Sequence, residues 1–145
     1  MHHTHYPAMI PYLVVEDTQT LLDFFTQKLG FREVMKMEGP GGKPAHAEVA
    51  LGQAFVMMGF KPGAARPNDS VNFYIDPGMR IDSYYEFVKS KGVEIEKEIA
   101  DQFYGDRTFT VKTPMGFSLC FYNHVRDVSR QEMEQAIRAM AGAGA

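Results

Sequence analysis

His46 and Glu48 are the two side chains whose types and spacing best suit chemistry. Two positions apart on an extended segment, they share one face. An imidazole oriented by a carboxylate makes a general base with its positioning group, and the same pair can bind a polar ligand. The competing reading is a shallow strand, with His46 bonded near the preceding Gly/Pro loop and Glu48 in solvent. Two ligands are too few to hold a metal. The second candidate is Tyr104-Gly105-Asp106-Arg107. Arg107 offers a planar fork for carboxylate or phosphate, and Tyr104 adds a ring with a hydroxyl. The same four residues also make a tight turn in which Asp106 caps backbone N–H groups and pairs with Arg107. Cys120 is the one thiol, and nothing near it in sequence lowers its pKa. His2, His3 and His5 read as an adventitious metal-binding or expression-derived leader.

The elements that position these residues form a repeat. Met9 to Val15 reads as a strand with Pro11 near its start, because proline cannot donate to a ladder. Asp17 is the expected N-cap of a helix carrying Leu21, Leu22, Phe25 and Leu29, which Gly30 stops. Phe31 to Met37 is a strand, Glu38 to Pro44 a loop, and Ala45–Leu51 with Ala54–Phe60 a hairpin around Gly52-Gln53. The same order then recurs. Ser70 to Ile75 is a strand, and Ile81, Tyr84, Tyr85 and Val88 mark a helix that stops at Gly92. Val93–Ile99, Arg107–Lys112 and Phe117–Asn123 supply three strands. Gly30 and Gly92 stand sixty-two positions apart, which sets the period. The expected α+β architecture is two tandem βαβββ modules, at about 9–60 and 70–123, joined by a linker over 61–69. A helix over 129–140 follows, opened by the capping-box residues Ser129 and Glu132. Its stripe of Met133, Ala136, Ile137 and Met140 covers either its own domain or a partner subunit. Ala141 to Ala145 is expected to fray.

Composition bounds the function. A chain of 145 residues, 45% apolar and 23% charged, suits one compact globular domain. A net charge of −3 without a basic stripe argues against nucleic acid as a partner. No apolar run approaches the roughly 20 residues that cross a bilayer, and the start lacks the regions of a secretory signal. The lone cysteine suits a reducing cytoplasm.

Two stretches carry a resemblance to a known family. Pro11-Tyr12-Leu13-Val14-Val15-Glu16-Asp17, with Leu22-Asp23-Phe24-Phe25 and Lys28-Leu29-Gly30-Phe31, resembles the opening strand and helix of the vicinal oxygen chelate superfamily. Tyr104-Gly105-Asp106-Arg107, with Thr113-Pro114-Met115-Gly116-Phe117, resembles its closing hairpin. The superfamily includes glyoxalase I, extradiol dioxygenases, fosfomycin-modifying enzymes and bleomycin resistance proteins. The resemblance implies a cupped half-barrel sheet in which metal-dependent members aim His, Glu or Gln at a divalent ion from four strand positions. Here those positions map to Ile10, Met57, Ser70 and Cys120, which offer no adequate donor set. No metal and no cofactor are therefore expected. Tyr12, Phe55, Asn72, Tyr74 and Tyr122 share their strand parity and would line the cup, with His46 and Glu48 beside Met57. The favoured function is metal-independent binding or sequestration of a small organic molecule by a cytoplasmic homodimer, as in the antibiotic-sequestering bleomycin resistance branch. The alternative is a lyase, isomerase or dioxygenase of the same superfamily, using a metal placed elsewhere or His46 and Glu48 as acid and base. A scaffold with a filled cup is the third.

Overall fold

The computed structural model describes residues 6–64 and 71–143. Ser70, His2, His3, His5 and the linker beyond residue 64 lie outside the described residues, as do residues 144 and 145. The first module runs β1 (Tyr12–Val15), α1 (Thr18–Asp23), β2 (Arg32–Glu38), β3 (Pro44–Leu51) and β4 (Ala54–Phe60). The second runs β5 (Phe73–Ile75), α2 (Ile81–Ser90), β6 (Ile95–Asp101), β7 (Asp106–Lys112) and β8 (Ser118–His124), and α3 (Arg130–Ala143) follows. Each module makes one four-stranded sheet, in the orders β1-β4-β3-β2 and β5-β8-β7-β6. In each, the first strand pairs in parallel with the last while the other pairs are antiparallel. No helix among the described residues is long and apolar enough to cross a membrane.

Local chemistry accounts for most boundaries. Asp17 accepts from the Thr20 N–H at 3.1 Å and so caps α1. The helix then widens into one π-turn over Phe24–Lys28, in which the Leu29 N–H reaches back to the Phe24 carbonyl. The extra residue in that turn lets Phe24 and Phe25 both point into the core. Gly30 and Gly92 adopt left-handed φ values of 75° and 74°. Gly30 has a second constraint, since a Cβ there would meet the Phe87 ring at 3.0 Å. The strand expected from Met9 starts only at Tyr12, because Pro11 has no N–H to donate; its carbonyl still accepts from Met57. At the other end, the Ser129 Oγ accepts from the Glu132 N–H at 3.1 Å, and α3 runs through Ala143 rather than fraying at Ala141. Alanine's helix propensity offsets the cost of Gly142 there.

Alternation along the strands divides each sheet into a helix-facing side and an outer side. Leu13, Val15, Ala47, Val49, Val56 and Met58 of the first module face the helices, as do Phe109, Val111, Leu119 and Phe121 of the second. Both sets belong to one hydrophobic core with α1 and α2. Burying each of these side chains other than Ala47 is worth about 1.5–3 kcal/mol. The modules are also tied by their helix ends: the Tyr84 hydroxyl donates to the Leu29 carbonyl at 2.7 Å, and Lys28 Nζ to the Lys91 carbonyl at 3.1 Å. Gly52 packs directly on Gly78 nearby, where side chains at either position would collide.

Candidate functional site

The outer face of the first sheet gathers Tyr12 from β1, His46 and Glu48 from β3, and Phe55 and Met57 from β4. Strand register makes this inevitable: Tyr12 pairs with Met57, Glu48 with Met57, His46 with Gly59 and Ala50 with Phe55. Their polar atoms form a continuous chain. The Tyr12 hydroxyl lies 3.0 Å from His46 Nδ1, and His46 Nε2 lies 2.8 Å from Glu48 Oε2. Glu48 Oε1 accepts from the Tyr6 hydroxyl at 2.9 Å, and the Tyr6 ring meets Phe55 edge-on. Glu48 is only 3% exposed, so its position is far from the solvated strand that polar alternation allows. Burial under this sheet face, with the bond to Glu48, holds the Tyr6 hydroxyl above its ordinary pKa. Gly59 makes room for the ring of Tyr12, whose hydroxyl would lie 2.7 Å from a Cβ at that position. Met35 and Met37 of β2 pair with Glu48 and His46 and extend the patch.

The outer face of the second sheet repeats the plan with other residues. Tyr74 stands in β5 as Tyr12 stands in β1, and it pairs with Cys120 as Tyr12 pairs with Met57. The Tyr74 ring stacks on Tyr122 at 4.3 Å with a 12° tilt. Its hydroxyl donates to Asp106, with Tyr104 beside it; partial burial and these two neighbours push its pKa up. Asp106 also accepts from His124 Nδ1 at 2.8 Å, and His124 Nε2 reaches Asp127 at 2.7 Å. Two carboxylates, Asp127 first, raise the His124 pKa above its ordinary value. Asn72 lies further along this side, in a polar cleft of about 270 Å³ bounded by Glu96, Lys97, Thr110, Lys112 and Ser118. Burial pushes the Cys120 thiol up, against a smaller opposing effect of the Thr110 and Thr108 hydroxyls, so its thiolate is disfavoured.

Two expected site residues, Arg107 and Ile10, stand apart from these patches. Arg107 falls on the helix-facing side of β7, between Asp106 and Thr108 on the outer side. There it holds Asp82 of α2 at 2.9 Å and Asp101 of β6 at 3.1 Å, which fastens the helix to the sheet and occupies the fork meant for a ligand. Sequence parity leaves the direction of this candidate open, and the ladder turns it away from the outer face. Ile10 precedes β1, half-buried, and the residue level with Met57 is Tyr12. Ser70 lies outside the described residues. His124 and Tyr6 join these patches without being expected there, and Asp106 joins through Tyr74 and His124 rather than as a partner of Arg107. Asp106 was absorbed into turn chemistry, although its parity with Thr108 and Thr110 marks it as outward. His124 follows Tyr122 by two positions, a signal that was available; Tyr6 precedes every recognisable element and carried none.

The two outer patches are each complete within one module, and β1 and β5 belong to separate sheets. Another cleft, about 290 Å³, lies instead between the modules, where Leu13, Phe25 and Val56 face Phe73, Ile75 and Leu119. A divalent ion does not fit the outer patches. The register positions supply a thioether, a buried thiol and two phenols, and no group of three His, Cys, Asp or Glu side chains among the described residues is arranged to hold a metal ion.

This fold and site place the chain in a known class. A family model for the Glyoxalase/Bleomycin resistance protein/Dioxygenase superfamily matches residues 1–121, and the chain belongs to that superfamily. Uncharacterized proteins from Mycobacterium bovis and Mycobacterium tuberculosis are each 26% identical to it over 140 residues, covering 90% of this chain and 92% and 82% of theirs. Among solved structures, TioX from Micromonospora sp. ML1 is similar at a TM-score of 0.65 and 20% identity, over 83% of this chain and 100% of its own. A bleomycin resistance determinant encoded on the transposon Tn5 is similar at 0.64 and 17% identity, over 82% of this chain and 98% of its own. At these identities the solved structures establish a shared fold.

Proposed function

We propose that this protein binds a small organic molecule on its outer sheet faces without a metal ion, and acts by holding that molecule. One observation carries the reading. Where metal-dependent relatives would present ligands, this chain has Met57 and Cys120 flanked by Tyr12 and Tyr74, residues that are 51% and 48% exposed. A half-exposed tyrosine stacked on Tyr122, and another beside Phe55, Met57 and Met37, are surfaces suited to a flat or apolar ligand with a few polar groups. The fold shared with a bleomycin resistance determinant supports the same reading.

A cytoplasmic homodimer completes the proposal. Each patch is open, and α3 has no buried residue among those described, with Ile137 and Met140 half exposed. A second copy that covered α3 and brought one module's patch against the other's would enclose a ligand that a single copy leaves in solvent.

The enzyme alternative keeps one specific support, the His46–Glu48 bond. Elemental analysis after mild purification separates the two. Protein without stoichiometric Zn, Ni, Mn or Fe is the expected result. A stoichiometric ion that disappears with His46→Ala or Glu48→Ala would overturn the proposal.

A further inference from the structure

We infer that Tyr12, His46 and Glu48 form a proton-accepting relay that ends at the Tyr12 hydroxyl and takes a phenol or enol as its anion. The inference rests on small-molecule binding at this face and adds the class of ligand. Hydrogen-bond roles fix the direction of each proton. A carboxylate only accepts, so Glu48 takes one bond from the Tyr6 hydroxyl and one from His46 Nε2–H. That leaves His46 Nδ1 as an acceptor, and the Tyr12 hydroxyl donates to it at 3.0 Å. Both ring nitrogens are thus occupied, and His46 has none to offer a bound molecule. The group at the open end is the hydroxyl of Tyr12, a half-exposed residue, whose proton is committed to His46 and whose oxygen keeps lone-pair capacity to accept.

Such an oxygen accepts; it selects a ligand that donates. An acidic ligand O–H placed against it can give up its proton in one concerted step. The ligand O–H bond breaks and its electron pair stays on the ligand oxygen as negative charge. A new Tyr12 O–H bond forms as the old one breaks, and the old proton moves to Nδ1. The result is a ligand anion facing a neutral Tyr12, with an imidazolium held against Glu48; nothing is oxidised or reduced. The surroundings favour a flat, weakly polar acid over a sugar or a phosphate, since the residues level with Gly59, His46 and Tyr12 on this face are Val14, Met37 and Met57. Gly59 holds the geometry, because any side chain there would push Tyr12 off His46.

The test uses 4-nitrophenol, whose neutral and ionised forms absorb at different wavelengths, with 4-nitroanisole as a control that lacks the hydroxyl. At a pH one unit below the probe's own pKa, binding to the full chain should at least double the phenolate fraction. Tyr12→Phe keeps the ring over Gly59 and should bind the phenol in its neutral form. Glu48→Gln should cut the phenolate gain severalfold, and circular dichroism checks that both variants fold. A phenol that binds wild type yet stays neutral, or a gain that survives Tyr12→Phe, overturns the relay. Binding of 4-nitroanisole without 4-nitrophenol overturns the ligand class and spares the binding reading. If neither probe binds, both fall.

Discussion

Glu48 shows how much a single buried carboxylate can organise. It accepts from Tyr6 and His46 and is shielded from water, so removing it strands two donors rather than one. Glu48→Ala should cost about 2–3 kcal/mol, an unsatisfied-donor penalty, in urea unfolding at neutral pH. A loss of less than about 0.5 kcal/mol would mean that the chain from Tyr12 to Tyr6 does not hold. His124 makes the second prediction at this scale. Asp127 and Asp106 raise its folded-state pKa above the ordinary 6.5. Its contribution to stability is therefore fully present below the unfolded value and is lost as pH rises through the raised folded value. An NMR titration should place the His124 midpoint above 6.5, with Asp127→Asn moving it down. A midpoint at or below 6.5 in the wild type would show that neither carboxylate engages the ring. The residues that were hardest to read from sequence were those whose partners are remote. His46 and Glu48 announce themselves by spacing, whereas Tyr6 is forty-two positions from Glu48 and meets it only through the fold.

At the scale of elements, Gly105 carries the turn between β6 and β7. Its φ is +101°, and a Cβ would run into the Arg126 carbonyl. The Gly105 carbonyl also accepts from the Val125 and Arg126 N–H groups, which pins the chain leaving β8. Gly105→Ala should cost about 3 kcal/mol or more, through strain and clash together. Gly41, at φ +75° with open space around it, serves as the control, and its alanine variant should cost only about 1–2 kcal/mol. Equal thermal shifts for the two would contradict the packing at Gly105. Elements were legible because their signals are local: Asp17 caps, Gly30 and Gly92 stop, and Gly52-Gln53 turns. Side-chain direction was less legible where ladders slip. The β6–β7 pairing shifts between Ile95 and Lys97 and again before Ala100, so counting by twos along β6 fails. Arg107 itself lies in a regular ladder, and its inward direction follows from the buried Phe109 and Val111 that share its parity.

For the whole molecule, the repeat was visible in sequence and the packing of one module on the other was not. That packing depends on helix-end contacts such as Tyr84 with Leu29, between residues fifty-five apart. Association is the prediction proper to this scale. Light scattering at micromolar concentration should give about twice the 16.4 kDa chain mass, and deleting residues 129–145 should weaken the association. A clean monomer would count against a ligand enclosed between copies.

The most direct check on metal-independent binding is saturation-transfer NMR of the full chain, stripped with EDTA, against a panel of flat aromatic compounds. Transfer to one or more of them that survives chelation and falls several-fold in Tyr74→Ala is the expected result. Binding that appears only when a divalent ion is restored would contradict it.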